Sequence, residues 1–112
     1  MPSLFAQYVK EREGKHVIET EDGFAVLQFF PKNQEIYIED IYVIPEKRKS
    51  GIGRSFLEQV EAMCREQGFN KISGSVRPSA TGSTDSLKVL LSVGFRLAAA
   101  ESDAIFFIKE VV

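Results

Sequence analysis

The sequence predicts a mixed α/β fold: a single, mostly antiparallel sheet flanked by helices, as one domain over residues 1–112. Three observations predict it. The β-rich runs HVIET, FAVLQFF and EIYIEDIYVI follow one another across short turns, as in an antiparallel meander. A helical-period segment from Ile52 to Gln67 then separates EIYIEDIYVI from the strand-like FNKISGSV, which suits a right-handed crossover between parallel neighbours. A second helical run, SLKVLLSV, precedes FRLAAAE and DAIFFIKEVV, which can pair as a final hairpin around Ser102 and Asp103.

Each element has its own local reason. Ser3 can cap a short helix that carries Leu4, Phe5, Tyr8 and Val9 on one face, and Gly14 ends it. The EDG triplet is a hairpin-turn signal between HVIET and FAVLQFF. Pro31, Lys32, Asn33 and Gln34 make the next turn. In the long helix, Ile52, Phe56, Leu57, Val60, Met63 and Cys64 keep helical spacing, and Gly68 fits the C-terminal cap. Residues 77–85 are a polar loop. The second helix closes at Gly94 with Leu87, Leu90 and Leu91 on one face. No repeat or linker interrupts the order.

Composition bounds the function. The chain has 112 residues, 44% hydrophobic and 27% charged, ordinary values for a soluble domain. With 14 basic and 16 acidic residues the formal charge is -2, which argues against bulk nucleic-acid binding. The opening residues carry charge within ten positions, so neither a signal peptide nor a membrane span is expected, and a cytoplasmic location is the default. The lone cysteine, Cys64, falls on the apolar face of a helix, where a thiol is inert. His16 begins a strand and reads as a surface histidine. The nine Phe residues read mostly as core, and no spacing suggests a metal site.

The informative stretch is IPEKRKSGIGRSF, residues 44–56, where a strand runs through a basic glycine turn straight into a helix. Gly51 and Gly53 lack Cβ atoms, so backbone amides there can approach a ligand closely. A helix starting at this point leaves its first N–H groups unpaired. Those donors and the helix dipole favour an anion, and Arg48, Lys49 and Arg54 add positive charge. The turn matches neither the P-loop nor the dinucleotide-binding glycine pattern. On glycines and charges alone, a plain turn with solvated side chains explains it equally well.

The wider segment IEDIYVIPEKRKSGIGRSFLEQV resembles the signature of the GNAT acyltransferase superfamily. That signature is a strand ending in V-x-P, then [QR]-x-x-G-x-[GA] and a helix. Here these are Val43, Pro45 and Arg48-Lys49-Ser50-Gly51-Ile52-Gly53. LLSVGF is similar to the family's second segment, a helix ending in Gly-Phe. The resemblance implies that the anion is the pyrophosphate of acetyl-CoA, held at residues 48–54. It also implies that Ile41, Tyr42 and Val43 bond the pantetheine arm through their backbone. Two features depart from the family. Only one short helix precedes HVIET, so the first strand and helix are missing, and apolar surface is left that a homodimer could cover. Where many members carry an Asn and an acid Tyr in the last helix, this chain has Ser83 and Leu90.

Acetyl transfer to an amine near neutral pH needs a base, because a lysine-type amine has a pKa of about 10.4. Glu39 and Asp40 lie on the strand beside the implied thioester; alternation lets only one reach it, and the resemblance favours Glu39. An N–H at or near Val43 would polarise the thioester oxygen. Tyr42, Ser79, Ser83 and water stay open as proton donors. The reading is an acetyl-CoA-dependent N-acetyltransferase acting on an amine, small molecule or protein, in a ternary complex, with no nucleic-acid or membrane partner. A non-catalytic binding module on the same fold is its rival, and a nucleotide-binding regulator a weaker one.

Overall fold

In the computed structural model, residues 2–112 are described, with only the backbone for Ser83 and Thr84. The first helix, α1 (Leu4–Glu13), starts and stops by local chemistry. The Ser3 hydroxyl accepts from the Ala6 N–H at 3.0 Å. Gly14 takes a left-handed φ of 67°, and its N–H closes on the Lys10 carbonyl. Of the four residues expected on the apolar face, only Val9 is buried. Ala6 is buried with it, whereas Leu4, Phe5 and Tyr8 are exposed. The reason is that α1 rests on the margin of the sheet, over β1 (His16–Thr20), where one row of side chains finds a partner.

A two-residue turn leads into β2 (Gly23–Phe30), a 3₁₀ turn (Pro31–Asn33) into β3 (Glu35–Val43). These strands form the antiparallel meander that the sequence predicts. A second 3₁₀ turn (Pro45–Lys47) precedes α2 (Ile52–Glu66), and β4 (Lys71–Val76) then lies parallel to β3. The chain closes with α3 (Ser83–Ser92), β5 (Arg96–Glu101) and β6 (Ala104–Glu110). The six strands are ordered β1-β2-β3-β4-β6-β5.

The core lies between the sheet and α2 with α3. Phe56, Leu57, Val60 and Cys64 of α2 are buried against Ala25, Leu27, Ile36, Ile38 and Ile72. Burying each large apolar side chain of this kind contributes about 1.5–3 kcal/mol. Helix α3 begins three residues before the expected Ser86, and its packing row also differs. Leu90 is buried, Leu87 and Val89 pack beside it, and Leu91 faces solvent. The helix meets α2 and β4 along Leu90 and Val89, which turns Leu91 outward.

One irregularity shapes everything that follows. Leu27 sits opposite Ile38, but Val26 sits opposite Asp40, so Glu39 is an extra residue in β3. This bulge shifts the pleat. Ile36 and Ile38 face the helices before it, and Ile41 and Val43 after it.

Candidate active site

Strand β3 stays paired with β2 as far as Val43, yet pairs with β4 only as far as Ile38 opposite Gly74. Beyond that point the two parallel strands part. Residues 39–43 then carry backbone N–H and C=O groups with no ladder partner on the β4 side. A cleft of about 640 Å³ fills the gap. Ser75 and Val76 of β4 form its far wall, and Leu57, Val89 and Leu90 give it an apolar base.

The basic turn closes one end. Lys49 and Gly51 both have left-handed backbone, at φ 67° and 91°, and the chain between them folds back before entering α2. Gly51 caps α2 without a side-chain acceptor, so the first N–H groups of the helix are left for another partner. Gly51 and Gly53 both line the cleft, and a Cβ built on either meets no atom within 4 Å. The amides are therefore open to an approaching group. Lys47, Arg48, Lys49 and Arg54 surround them. Lys47 and Lys49 make no ion pair among the described residues, whereas Arg54 lies 3.9 Å from Glu58 and donates to the Ser92 carbonyl. These donors and charges fit a pyrophosphate.

Arg48 has a second task. Its Nε donates to the Val43 carbonyl oxygen at 3.0 Å, and its guanidinium lies 5.7 Å from the Tyr42 ring centroid. Tyr42 in turn stacks on Phe24 at 5.7 Å, on the α1 side of the sheet. Arg48 thus ties the basic turn to the free edge of β3.

The other end of the cleft holds carboxylates. Glu39 and Asp40 are both exposed and belong to the unbroken run from Ile38 to Val43 that borders it, so strict strand alternation does not separate them. The bulge at Glu39 is the cause, because it breaks the alternation at that residue. Both residues also line a smaller depression of about 330 Å³ beneath α1, with Phe5, Val9 and Val26. Glu39 accepts from Lys15 at 2.9 Å, and Glu13 lies 3.5 Å from the same ammonium. The hydrogen bond to Glu39, helped by both carboxylate charges and opposed by desolvation, holds Lys15 above its usual 10.5.

The cleft gathers Glu39, Ile41, Tyr42, Val43, Arg48, Lys49, Gly51, Gly53 and Arg54. It does not gather every residue that the signature contains. The Ser50 hydroxyl donates back to the Lys47 carbonyl, which ties the turn together. Ile52 packs against the core. The side chain of Ser83 lies outside the described residues. Ser79 does not line the cleft; its amide and hydroxyl donate to Asp103, which pins the 77–82 loop to the last hairpin. Those bonds, hydroxyl first, hold Asp103 below its usual carboxylate range. Sequence reasoning missed Lys47, Thr81, Asp85 and Ser86, all on the rim. The loop was readable as polar, but only the parting of β3 from β4 places it here.

The remaining polar singletons stand apart from the cleft. Cys64 is buried, donates to the Lys71 carbonyl at 3.6 Å, and burial pushes its thiol up from the usual 9.0. His16 is half-buried and stacks on Phe29 with centroids 4.1 Å apart. Among the described residues, no three His, Cys, Asp or Glu side chains gather as for a metal ion. No described helix is long and apolar enough to cross a membrane.

Known proteins share this fold. The IAA acetyltransferase of Bacillus cereus superposes with a TM-score of 0.76 at 19% identity, covering 96% of this chain and 83% of its own. The ribosomal-protein-S18-alanine N-acetyltransferase of Escherichia coli gives 0.71 at 20% identity, covering 99% and 79%. The PaiA N-acetyltransferase of Thermoplasma acidophilum, solved with coenzyme A, gives 0.71 at 17%, covering 80% of this chain. This chain spans only 53% of that last protein. No curated protein sequence matches the chain. The model of the acetyltransferase (GNAT) family, whose cosubstrate is acetyl-CoA, matches residues 2–90. That match spans well over half of the sequence, and the chain belongs to the GNAT acetyltransferase family.

Proposed function

We propose that this protein is an N-acetyltransferase that moves the acetyl group of acetyl-CoA to a primary amine, in a small molecule or a protein, by direct transfer in a ternary complex. The observation that carries the reading is the parting of β3 and β4 beyond Ile38, with the basic turn at one end of the gap and Glu39 at the other. The pyrophosphate would rest on the amides of residues 51–54, with Lys47 and Lys49 supplying charge. The pantetheine arm would take the free backbone edge at Ile41, Tyr42 and Val43 as an added strand would. Arg48 must then share or release the Val43 carbonyl.

The acceptor would come from the α1 side, where Glu39 and Asp40 border both depressions. Glu39, directly or through water, takes a proton from the ammonium, and the free amine attacks the thioester carbonyl. An N–H at or near Val43 polarises the carbonyl oxygen. A C–N bond forms, the C–S bond breaks, the electron pair leaves with the thiolate, and the second amine proton passes to water. Among the described residues the lone cysteine, Cys64, is buried and does not line the gap, which supports direct transfer over a thiol-linked intermediate.

Leu90 favours a second reading. It forms part of the base of the cleft, where relatives in the family often carry a proton-donating Tyr. A chain without that donor could bind acetyl-CoA and transfer nothing. Release of free thiol from acetyl-CoA, measured against a panel of amines alongside calorimetric binding, separates the two. Binding with thiol release supports the transferase; binding with none supports the module.

A further inference from the structure

We infer that strand β5 is a self-pairing edge through which two copies of this chain join their sheets into one. The inference stands apart from the acetyl-transfer reading, because β5 contributes nothing to the cleft. It starts from an edge whose protection is confined to the charges of Arg96 and Glu101 at its ends and a bulge at Ala98. β5 is the last strand of the sheet, and all six of its residues, Arg96 to Glu101, are exposed. Leu97 is 59% exposed, and three alanines follow it. Edge strands usually carry Lys, Pro or a covering element, because their free N–H and C=O groups recruit other strands. The opposite edge shows such management. β1 is one residue shorter, ends in exposed Glu19 and Thr20, and lies under α1.

The strand reads Arg-Leu-Ala-Ala-Ala-Glu, with opposite charges at its two ends. An antiparallel pairing of β5 with the β5 of a second copy can set Arg96 opposite the partner's Glu101, twice by symmetry. It also sets Leu97 opposite the partner's Ala100. On a regular strand this pairing is forbidden. Residues five apart point to opposite faces, and a two-fold axis normal to a sheet brings together only residues on the same face.

The register with β6 removes the objection. Arg96 is paired with Ile108 and Glu101 with Ala104, positions an even number apart on β6. Leu97 is paired with Phe107 and Ala100 with Ile105, again an even number apart. Ala98 is the extra residue that makes this so. The bulge therefore puts Arg96 and Glu101 on one face and Leu97 and Ala100 on the other. Arg96 holds an exposed contact to Glu110, at 3.1 Å, which it can keep or exchange. The occupant that matches this charge order is a second copy of the same strand.

Charge reversal tests the register. The wild-type chain should sediment as a dimer at micromolar concentration. Glu101→Arg or Arg96→Glu alone sets like charges opposite each other twice, and should raise the dimer Kd by roughly tenfold or more. An equimolar mixture of the two variants restores both complementary pairs and should dimerise again. The doubly reversed chain should do the same. Far-UV circular dichroism and melting of each variant check folding. If Arg96→Glu does not fold, hydrogen exchange of the wild-type β5 amides still decides, since it should slow as concentration rises. A wild type that stays monomeric at all concentrations overturns the inference. So does a dimer that ignores both reversals, or β5 amides whose exchange is independent of concentration.

Discussion

Lys15 and Glu39 meet at 2.9 Å across the mouth of the α1-side depression, although 24 residues separate them in sequence. The contact holds the carboxylate at the bulge, where the acceptor amine would arrive. In the proposed mechanism Glu39 carries the chemistry, and Lys15 orients it. Glu39→Gln keeps shape and hydrogen bonding but removes basicity, so turnover should fall by roughly 10²–10⁴. Affinity for acetyl-CoA, measured by calorimetry, should be unchanged. Lys15→Met leaves the carboxylate in place and should alter turnover only a few-fold. Equal losses in both variants would assign the pair to structure.

Leu90 supplies the second prediction. It is buried, yet it borders the cleft, and the resemblance to the family sets it against a proton-donating Tyr. The leaving thiolate then takes its proton from water or from a nearby hydroxyl. A thiol of pKa about 8.5 leaves tolerably without help, so the wild type should be slow but active. Leu90→Tyr should raise turnover several-fold, while overpacking lowers stability by about 1–3 kcal/mol. Turnover and melting temperature measured together check both halves. A fast wild type that the substitution slows would show that another group already donates the proton.

His16 gives a pH dependence of stability. Burial, and secondarily the charge of Lys10, lower its pKa from the usual 6.5. The unfolded chain therefore binds more protons than the folded one between the folded value and 6.5. Stability is unaffected by this group above 6.5 and is lost as pH falls from there through the folded value. Glu61, held low chiefly by its hydrogen bond to Lys109, adds its own loss below its usual 4.5. Urea unfolding of wild type and His16→Gln across mildly acidic pH separates them. The variant should stay flat where the wild type declines, and parallel curves would remove the assignment.

Gly23 fixes how closely β2 approaches the end of β3. It pairs with Val43, and a Cβ there would fall far inside contact distance of the Tyr42 carbonyl oxygen. Gly23→Ala must therefore push apart the strands that shape the cleft. Stability should fall by about 1–3 kcal/mol, read as a lower urea midpoint. Acetyl-CoA affinity should weaken as well. Full retention of both would mean that β3 is not held by this contact.

The order of elements was legible because its signals are local. Ser3, Gly14, Gly68 and Gly94 punctuate the helices where their backbone geometry requires it, and the meander strands announce themselves by composition. The glycine turn was legible as a basic turn that opens a helix for the same reason, with Gly51 in left-handed backbone just ahead of α2. What was hidden depends on register between segments far apart. The bulge at Glu39 exists only in the pairing of β2 with β3, so the shared exposure of Glu39 and Asp40 was unreadable. The outward turn of Leu4, Tyr8 and Leu91 follows from where α1 and α3 rest on the rest of the fold. Ser79 reads as a free loop hydroxyl until the fold brings Asp103 beside it.

Isothermal titration with acetyl-CoA on wild type and Gly53→Glu tests the central claim most directly. A Cβ at position 53 meets no atom within 4 Å, so the variant should fold and melt like the wild type. Its carboxylate would stand among the open amides at the start of α2 and repel a pyrophosphate. The account predicts one acetyl-CoA bound per wild-type chain and at least a roughly tenfold loss of affinity in the variant, a difference of about 1.4 kcal/mol. No binding by the wild type, or equal binding by both, would contradict it.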